Sequence, residues 1–123
     1  MNDSIKELTD EIVAFRDARD WKKFHNSKDM AISISLEAAE LLEVFQWSGE
    51  DVEADTDKKV SKIKEELADV LIYSLLMGHD LGFDISEIVK QKIDTNNRKY
   101  PVDKAYGKSD KYTAYLSSEK GKV

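Results

Sequence analysis

Glu37, Glu40 and Glu43 recur every three residues in Glu-Ala-Ala-Glu-Leu-Leu-Glu, and Glu65, Glu66 and Asp69 stand in Glu-Glu-Leu-Ala-Asp-Val. On a helix, a spacing of three sets two side chains about 60° apart and one turn apart. Glu37 with Glu40, and Glu66 with Asp69, therefore each form a pair on one helix face. If the two helices pack antiparallel, the pairs make a nest of four carboxylates. Two like charges about 4 Å apart repel by about 4 kcal/mol at an effective dielectric near 20. Such a nest takes up protons or a cation. With oxygen ligands alone the cation is hard, Mg²⁺ or Mn²⁺ before Zn²⁺ or iron. Di-iron bundles use Glu-x-x-His, and neither His25 nor His79 stands three residues after a glutamate.

The plainer reading is solvated charge, because glutamates three apart are common on exposed helix faces. Ala and Leu rather than Lys bracket both pairs, which favours the nest. Lys58, Lys59, Lys62 and Lys64 precede the second pair and can bind acids along the helix, so Glu65 reads as a solvated acid. The acidic run 51–57 lacks the glycine and the distal glutamate of a calcium loop and reads as a solvated connection. Lys92 and Asn96 lie one turn apart, with Arg98, Lys99 and Tyr100 beyond them. That group suits phosphate or sugar oxygens, or simply complements the helix end. Trp21 and Trp47 serve either as core or as platforms for a flat ring, and the residues alone favour core.

Four helices are needed to hold these groups. Pro101 is the single proline, and only Gly49, Gly78 and Gly82 occur in the first hundred residues. Scarce helix breakers favour long helices. The first is expected over about 4–18, with Ser4 and Glu7 as a capping box and Ile5, Leu8, Ile12 and Phe15 at helical spacing. A polar link over 20–29 leads to a second helix over about 28–47. Ile32, Ile34 and Leu36 alternate as a strand would, but the longer helical period outweighs that short piece. The third helix is expected over about 57–81, ended by Gly82. The fourth opens at Asp84 and Glu87, carries Ile85, Ile88, Val89 and Ile93 inward, and stops at Pro101. The fold class is all-α, a four-helix bundle over residues 1–101 followed by a polar, aperiodic tail at 102–123. The second and third helices are apolar on more than one stripe, which predicts a homo-oligomer.

At 123 residues the chain makes one domain. It has no cysteine, which excludes disulfides, thiolate zinc sites and cysteine nucleophiles. The balance of 19 basic and 25 acidic residues, net −6, disfavours binding to nucleic acid polymers or anionic membranes. No apolar run approaches the roughly 20 residues of a membrane span. The opening Met-Asn-Asp-Ser-Ile-Lys has neither the basic nor the apolar part of a secretory signal, so a cytoplasmic location is expected.

Glu37-x-x-Glu40 followed by Glu66-x-x-Asp69 resembles the metal-binding signature of the MazG-like nucleotide pyrophosphohydrolases, an all-α superfamily. The likeness extends over roughly residues 10–113. Arg19-Asp20-Trp21 with Phe24-His25, the stretch from Glu40 to Trp47, Glu65 to Tyr73, Lys92-Ile-Asp-Thr-Asn96 with Arg98 and Tyr100-Pro101, and Lys111-Tyr-Thr113 are similar to the dCTP pyrophosphatase branch. The resemblance implies Glu37, Glu40, Glu66 and Asp69 as Mg²⁺ ligands. It implies Trp21 and Trp47 around the base, and Tyr73, Lys92 and Asn96, with Arg98, toward sugar or phosphates. The implied reaction is attack of water on a nucleoside triphosphate, giving monophosphate and pyrophosphate, with Glu37 or Glu40 handling the water. The implied assembly is a homodimer or homotetramer, and the 111–113 match suggests that the tail docks on a neighbouring subunit. Two positions depart from the branch. Ile12 stands where a first-helix histidine is usual, and Asp80 or its neighbours where an arginine is usual. These bear on base selectivity and on phosphate binding, respectively.

The function expected is Mg²⁺-dependent clearance of dCTP or a related deoxynucleotide. A non-catalytic nucleotide-binding, regulatory bundle is the alternative, and the retained acids argue against it.

Overall fold

The structure is a computed structural model that describes residues 3–115. Its regular elements are helical: α1 (Ser4–Asp17), α2 (Ser27–Glu43), α3 (Asp57–Asp80), α4 (Ile85–Lys99) and α5 (Val102–Ala105), with a 3₁₀ turn at Lys22–Phe24. No strand occurs among the described residues, and Ile32, Ile34 and Leu36 all lie within α2. The four long helices fall where the apolar period places them. No helix among the described residues is long and apolar enough to cross a membrane.

The ends show what local chemistry does. Asp3, not Ser4, caps α1, its carboxylate accepting from the backbone N–H of Ile5 (3.0 Å) and Lys6 (3.3 Å). One carboxylate thus satisfies two of the free donors of the first turn. Asn26 and Thr56 cap α2 and α3 in the same way. The second helix stops at Glu43, four residues short of the expected Trp47. The bonds from Phe45 N–H to the Leu42 carbonyl and from Gln46 N–H to the Glu43 carbonyl tighten the chain into turns. Trp47 then takes a left-handed φ of 67°. The Ser48 hydroxyl reaches the carbonyls of Phe45 and Asp51, both at 2.8 Å, which favours the turn over another helical residue.

At the end of α3, Gly82 has φ 75°. Phe83 N–H returns to the Gly78 carbonyl (2.8 Å) and Gly82 N–H to that of His79 (3.0 Å), the paired bonds of a Schellman motif. No atom crowds the position a Cβ would take there. Gly82→Ala is therefore expected to cost only the left-handed backbone penalty, about 1–2 kcal/mol, measurable by urea unfolding.

The chain divides into two compact units, Met1–Asp84 and Ile85–Val123. In the first, α1 and α2 each pack on α3. Among the described residues its buried apolar side chains are Met30, Leu75 and Leu76. Arg16 is also buried and grips both carboxylate oxygens of Asp80 through Nη1 (2.9 and 2.8 Å), joining α1 to the end of α3. Lys59 binds Asp51 and, at 3.1 Å, Asp55, which folds the acidic connection back onto the first turn of α3. Leu36 and Leu42 on α2 and Leu67 and Leu71 on α3 stay exposed in the single chain. In the second unit, Ile88, Val89 and Ile93, expected inward, are likewise exposed.

The segment expected to be aperiodic from Val102 contains helical turns at Val102–Ala105 and at 112–115. Pro101, read as a stop, also begins α5, because its fixed φ, here −60°, suits the entrance to a helix. The Tyr100 ring stands edge-on to both Tyr112 and Tyr115, each at 6.1 Å between centroids. Residues 116–123 of the expected tail lie outside the described residues.

Candidate metal centre

α2 and α3 bring three of the four signature acids together. Glu37 and Glu40 from α2 and Glu66 from α3 each offer a carboxylate oxygen, and these oxygens lie within 4.8 Å of one another. Glu66 is only 3% exposed, while Glu37 is half-buried and Glu40 is open to solvent. One buried oxygen of Glu37 and one of Glu66 have no hydrogen-bond partner. Buried acceptors without donors call for an explanation, and a hard divalent cation on oxygen ligands supplies one. The residues present fit such an ion.

Lys62, one turn before Glu66 on α3, donates to it at 2.8 Å and approaches Glu65 at 3.8 Å. Glu65 is exposed, as its lysine-rich flank suggests. The lysine chiefly, then the hydrogen bond shared with Glu40, hold the Glu66 carboxyl below the usual range. The same partner raises Lys62. Glu40 moves the other way. Its hydrogen bonds to Glu66 and then Glu37, followed by the charges of those two groups, push it up from 4.5 to about 7. Crowded carboxylates cannot all stay ionised without a cation, and here the most exposed one keeps the proton.

Asp69, a turn beyond Glu66, is half-buried and lies outside the group of three. Its charge still acts on Tyr73, whose phenol is raised by burial first and then by Glu37, Asp69 and Glu40. Tyr73 therefore faces the same acidic surround. Trp21 is 45% and Trp47 92% exposed, so neither is core in the single chain. The Trp21 ring stands edge-on to Phe15 (5.8 Å), and the Arg19 guanidinium lies 3.7 Å over Phe15. Lys92, Asn96 and Arg98 belong to α4, in the second unit.

Of the four lysines expected to bind acids along α3, Lys62 meets Glu66, at the i, i+4 spacing that favours such pairs. The Arg16–Asp80 pair spans 64 residues and has no local signature. Asp80, at one of the positions that depart from the branch pattern, is committed to Arg16.

Comparison with known proteins gives consistent results. The chain is 33% identical over 114 residues to dCTP pyrophosphatase 1 of Bos taurus, covering 90% of this chain and 66% of that protein. It is 32% identical to dCTP pyrophosphatase 1 of Homo sapiens, covering 65% of its length. The chain thus spans slightly less than two thirds of these curated relatives. The crystal structure of a pyrophosphatase from Archaeoglobus fulgidus DSM 4304 superposes with a TM-score of 0.73 at 43% identity, covering 82% of this chain and 95% of that one. Residues 32–114, which hold all four signature acids, match the MazG-like family, and to that family the chain belongs.

Proposed function

We propose that this protein is a divalent-metal-dependent nucleoside triphosphate pyrophosphohydrolase that releases a monophosphate and pyrophosphate, with dCTP or a related deoxynucleotide as substrate. The observation that carries the reading is the meeting of Glu37, Glu40 and Glu66, with two buried oxygens unpartnered, in a MazG-like chain. The names of its relatives support the substrate class.

In this reading Glu37, Glu40, Glu66 and Asp69 hold Mg²⁺, with Mn²⁺ as a substitute. The cation shields the triphosphate from the acids and makes water more acidic. Glu40 is the better placed to take a proton from water, because it is solvent-exposed where Glu37 and Glu66 are more buried. Lys62 keeps Glu66 ionised and aimed at the nest. Tyr73, Trp21, Trp47, Lys92, Asn96 and Arg98 are proposed as further substrate contacts on the strength of the motif resemblance. The exposed apolar side chains of α2 and α3 support a homodimer or homotetramer. Action on free nucleotides in the cytoplasm, away from nucleic acid polymers and membranes, completes the proposal.

The test is pyrophosphate release from a panel of ribo- and deoxynucleoside triphosphates, with Mg²⁺ and with EDTA. Metal-dependent release of pyrophosphate and the matching monophosphate, with deoxycytidine substrates ranking first, is expected. No release from any triphosphate by folded protein supplied with metal would overturn the reading.

A further inference from the structure

The turn that ends α1 fixes one of the two exposed tryptophans. Asp20 has a left-handed φ of 56°, and there the chain leaves the helix. Trp21 N–H returns to the Arg16 carbonyl (3.3 Å) and Asp20 N–H to that of Asp17 (3.1 Å), the paired bonds of a Schellman motif. The motif folds its final residue back over the last turn of the helix, where an apolar contact commonly accompanies it. Here that contact joins Trp21 to Phe15, edge-on at 5.8 Å between ring centroids.

Arg19 completes the cluster. Its Nη1 donates to the Phe15 carbonyl (2.8 Å), which draws the side chain back along the helix. The guanidinium then lies 3.7 Å over the Phe15 ring and 5.9 Å over that of Trp21. Both distances are within the reach of a cation–π attraction, about 6 Å. Phe15 and Trp21 are exposed, so core packing does not hold either ring. The hydrogen bond anchors the guanidinium, the guanidinium covers Phe15, and Phe15 props Trp21. A Schellman motif needs no such cover to end a helix. A ring fixed before its ligand arrives, however, loses less freedom on binding.

We infer that Arg19 is a positioning residue: acting through Phe15, it holds the Trp21 ring as a platform on which a nucleobase stacks. The inference rests on the proposed function for the ligand of Trp21, and it goes beyond that function in naming what fixes the ring.

Two measurements test it. With Trp47→Phe, Trp21 becomes the sole tryptophan. In that background Arg19→Met should raise acrylamide quenching of the fluorescence and lower its anisotropy, with far-UV circular dichroism unchanged. In the native sequence, Arg19→Met should raise KM for the best triphosphate substrate by about two- to fivefold, the worth of one exposed cation–π contact, and leave kcat unchanged. Inhibition by pyrophosphate, which has no base, should not change. Phe15→Leu should raise KM by a similar factor, and adding Arg19→Met to it should raise KM no further, because the two side chains act in series. A Trp21 as shielded and as immobile without Arg19 as with it would overturn the inference. Weaker pyrophosphate inhibition would also overturn it, by making Arg19 a phosphate contact, and additive effects of the two substitutions would do so by making it act independently of Phe15. A native protein that turns over no triphosphate removes the pyrophosphohydrolase reading and the nucleobase with it, while the quenching still decides whether Arg19 fixes the ring.

Discussion

Replacing Glu40 by Gln is expected to lower turnover of nucleoside triphosphates by about 10²–10⁴-fold, the usual worth of a positioned acid or base, while making the metal-free protein more stable. Both effects come from the same crowding. Glu40 shares its surroundings with Glu37 and Glu66, their oxygens within 4.8 Å, and a neutral amide removes one of three charges that repel. The pH dependence follows from the direction of the shift. Glu40 holds its proton up to about 7 in the folded chain, above its ordinary 4.5. The folded state therefore binds more protons than the unfolded state between these values, and stability falls as pH rises through that window. Glu66 is shifted downward, so its contribution is lost only under more acidic conditions and does not cancel the trend. Melting curves in EDTA across the window should fall with pH for the native sequence and flatten for Glu40→Gln. A variant with native turnover, or one whose melting keeps the native slope, would remove Glu40 from the role assigned to it.

Arg16→Ala should destabilise the fold by about 1.5–3 kcal/mol, the range for hydrogen bonds to a charged group, because Arg16 is buried while Asp80 keeps access to solvent. Arg16 is 1% exposed, bonds both oxygens of Asp80 and reaches Asp17 at 3.2 Å. Its carbonyl also accepts the Trp21 N–H at 3.3 Å, which ties the bend carrying that ring to the end of α1. The alanine would leave Asp80 facing a vacated space with no cation. Arg16→Lys should recover only part of the loss, because one ammonium cannot reach Asp80 and Asp17 at once as the separate Nη1 and Nε of the guanidinium do. The double change Arg16→Met with Asp80→Asn should also recover part of it, since methionine refills the buried space and asparagine leaves no unpaired charge at the partly exposed Asp80 position. Urea denaturation of the four proteins separates these cases. Equal stability of Arg16→Ala and the native chain would show that the pair contributes nothing.

The two predictions concern residues of unequal legibility. Glu40 stood out because its partner acid is three residues away and its neighbours are Ala and Leu, all of it local. Arg16 carries no local signal, and only packing of α1 on α3 brings Asp80 to it across 64 residues. Trp47 shows the opposite error. The apolar period continued to it, but i→i−3 bonds and the Ser48 hydroxyl ended the helix at Glu43 and turned the ring outward. Periodicity reports which residues share a face, and it is silent on where a side chain can compete with the backbone.

Helix positions and the acids that share a face were determined by the sequence itself, because a 3.6-residue repeat, caps and scarce breakers are properties of near neighbours. Which acids meet was decided by tertiary structure alone. Glu37, Glu40 and Glu66 converge while Asp69 stays outside their group, since convergence depends on how α2 and α3 are rotated against each other, and no spacing along one chain specifies that rotation.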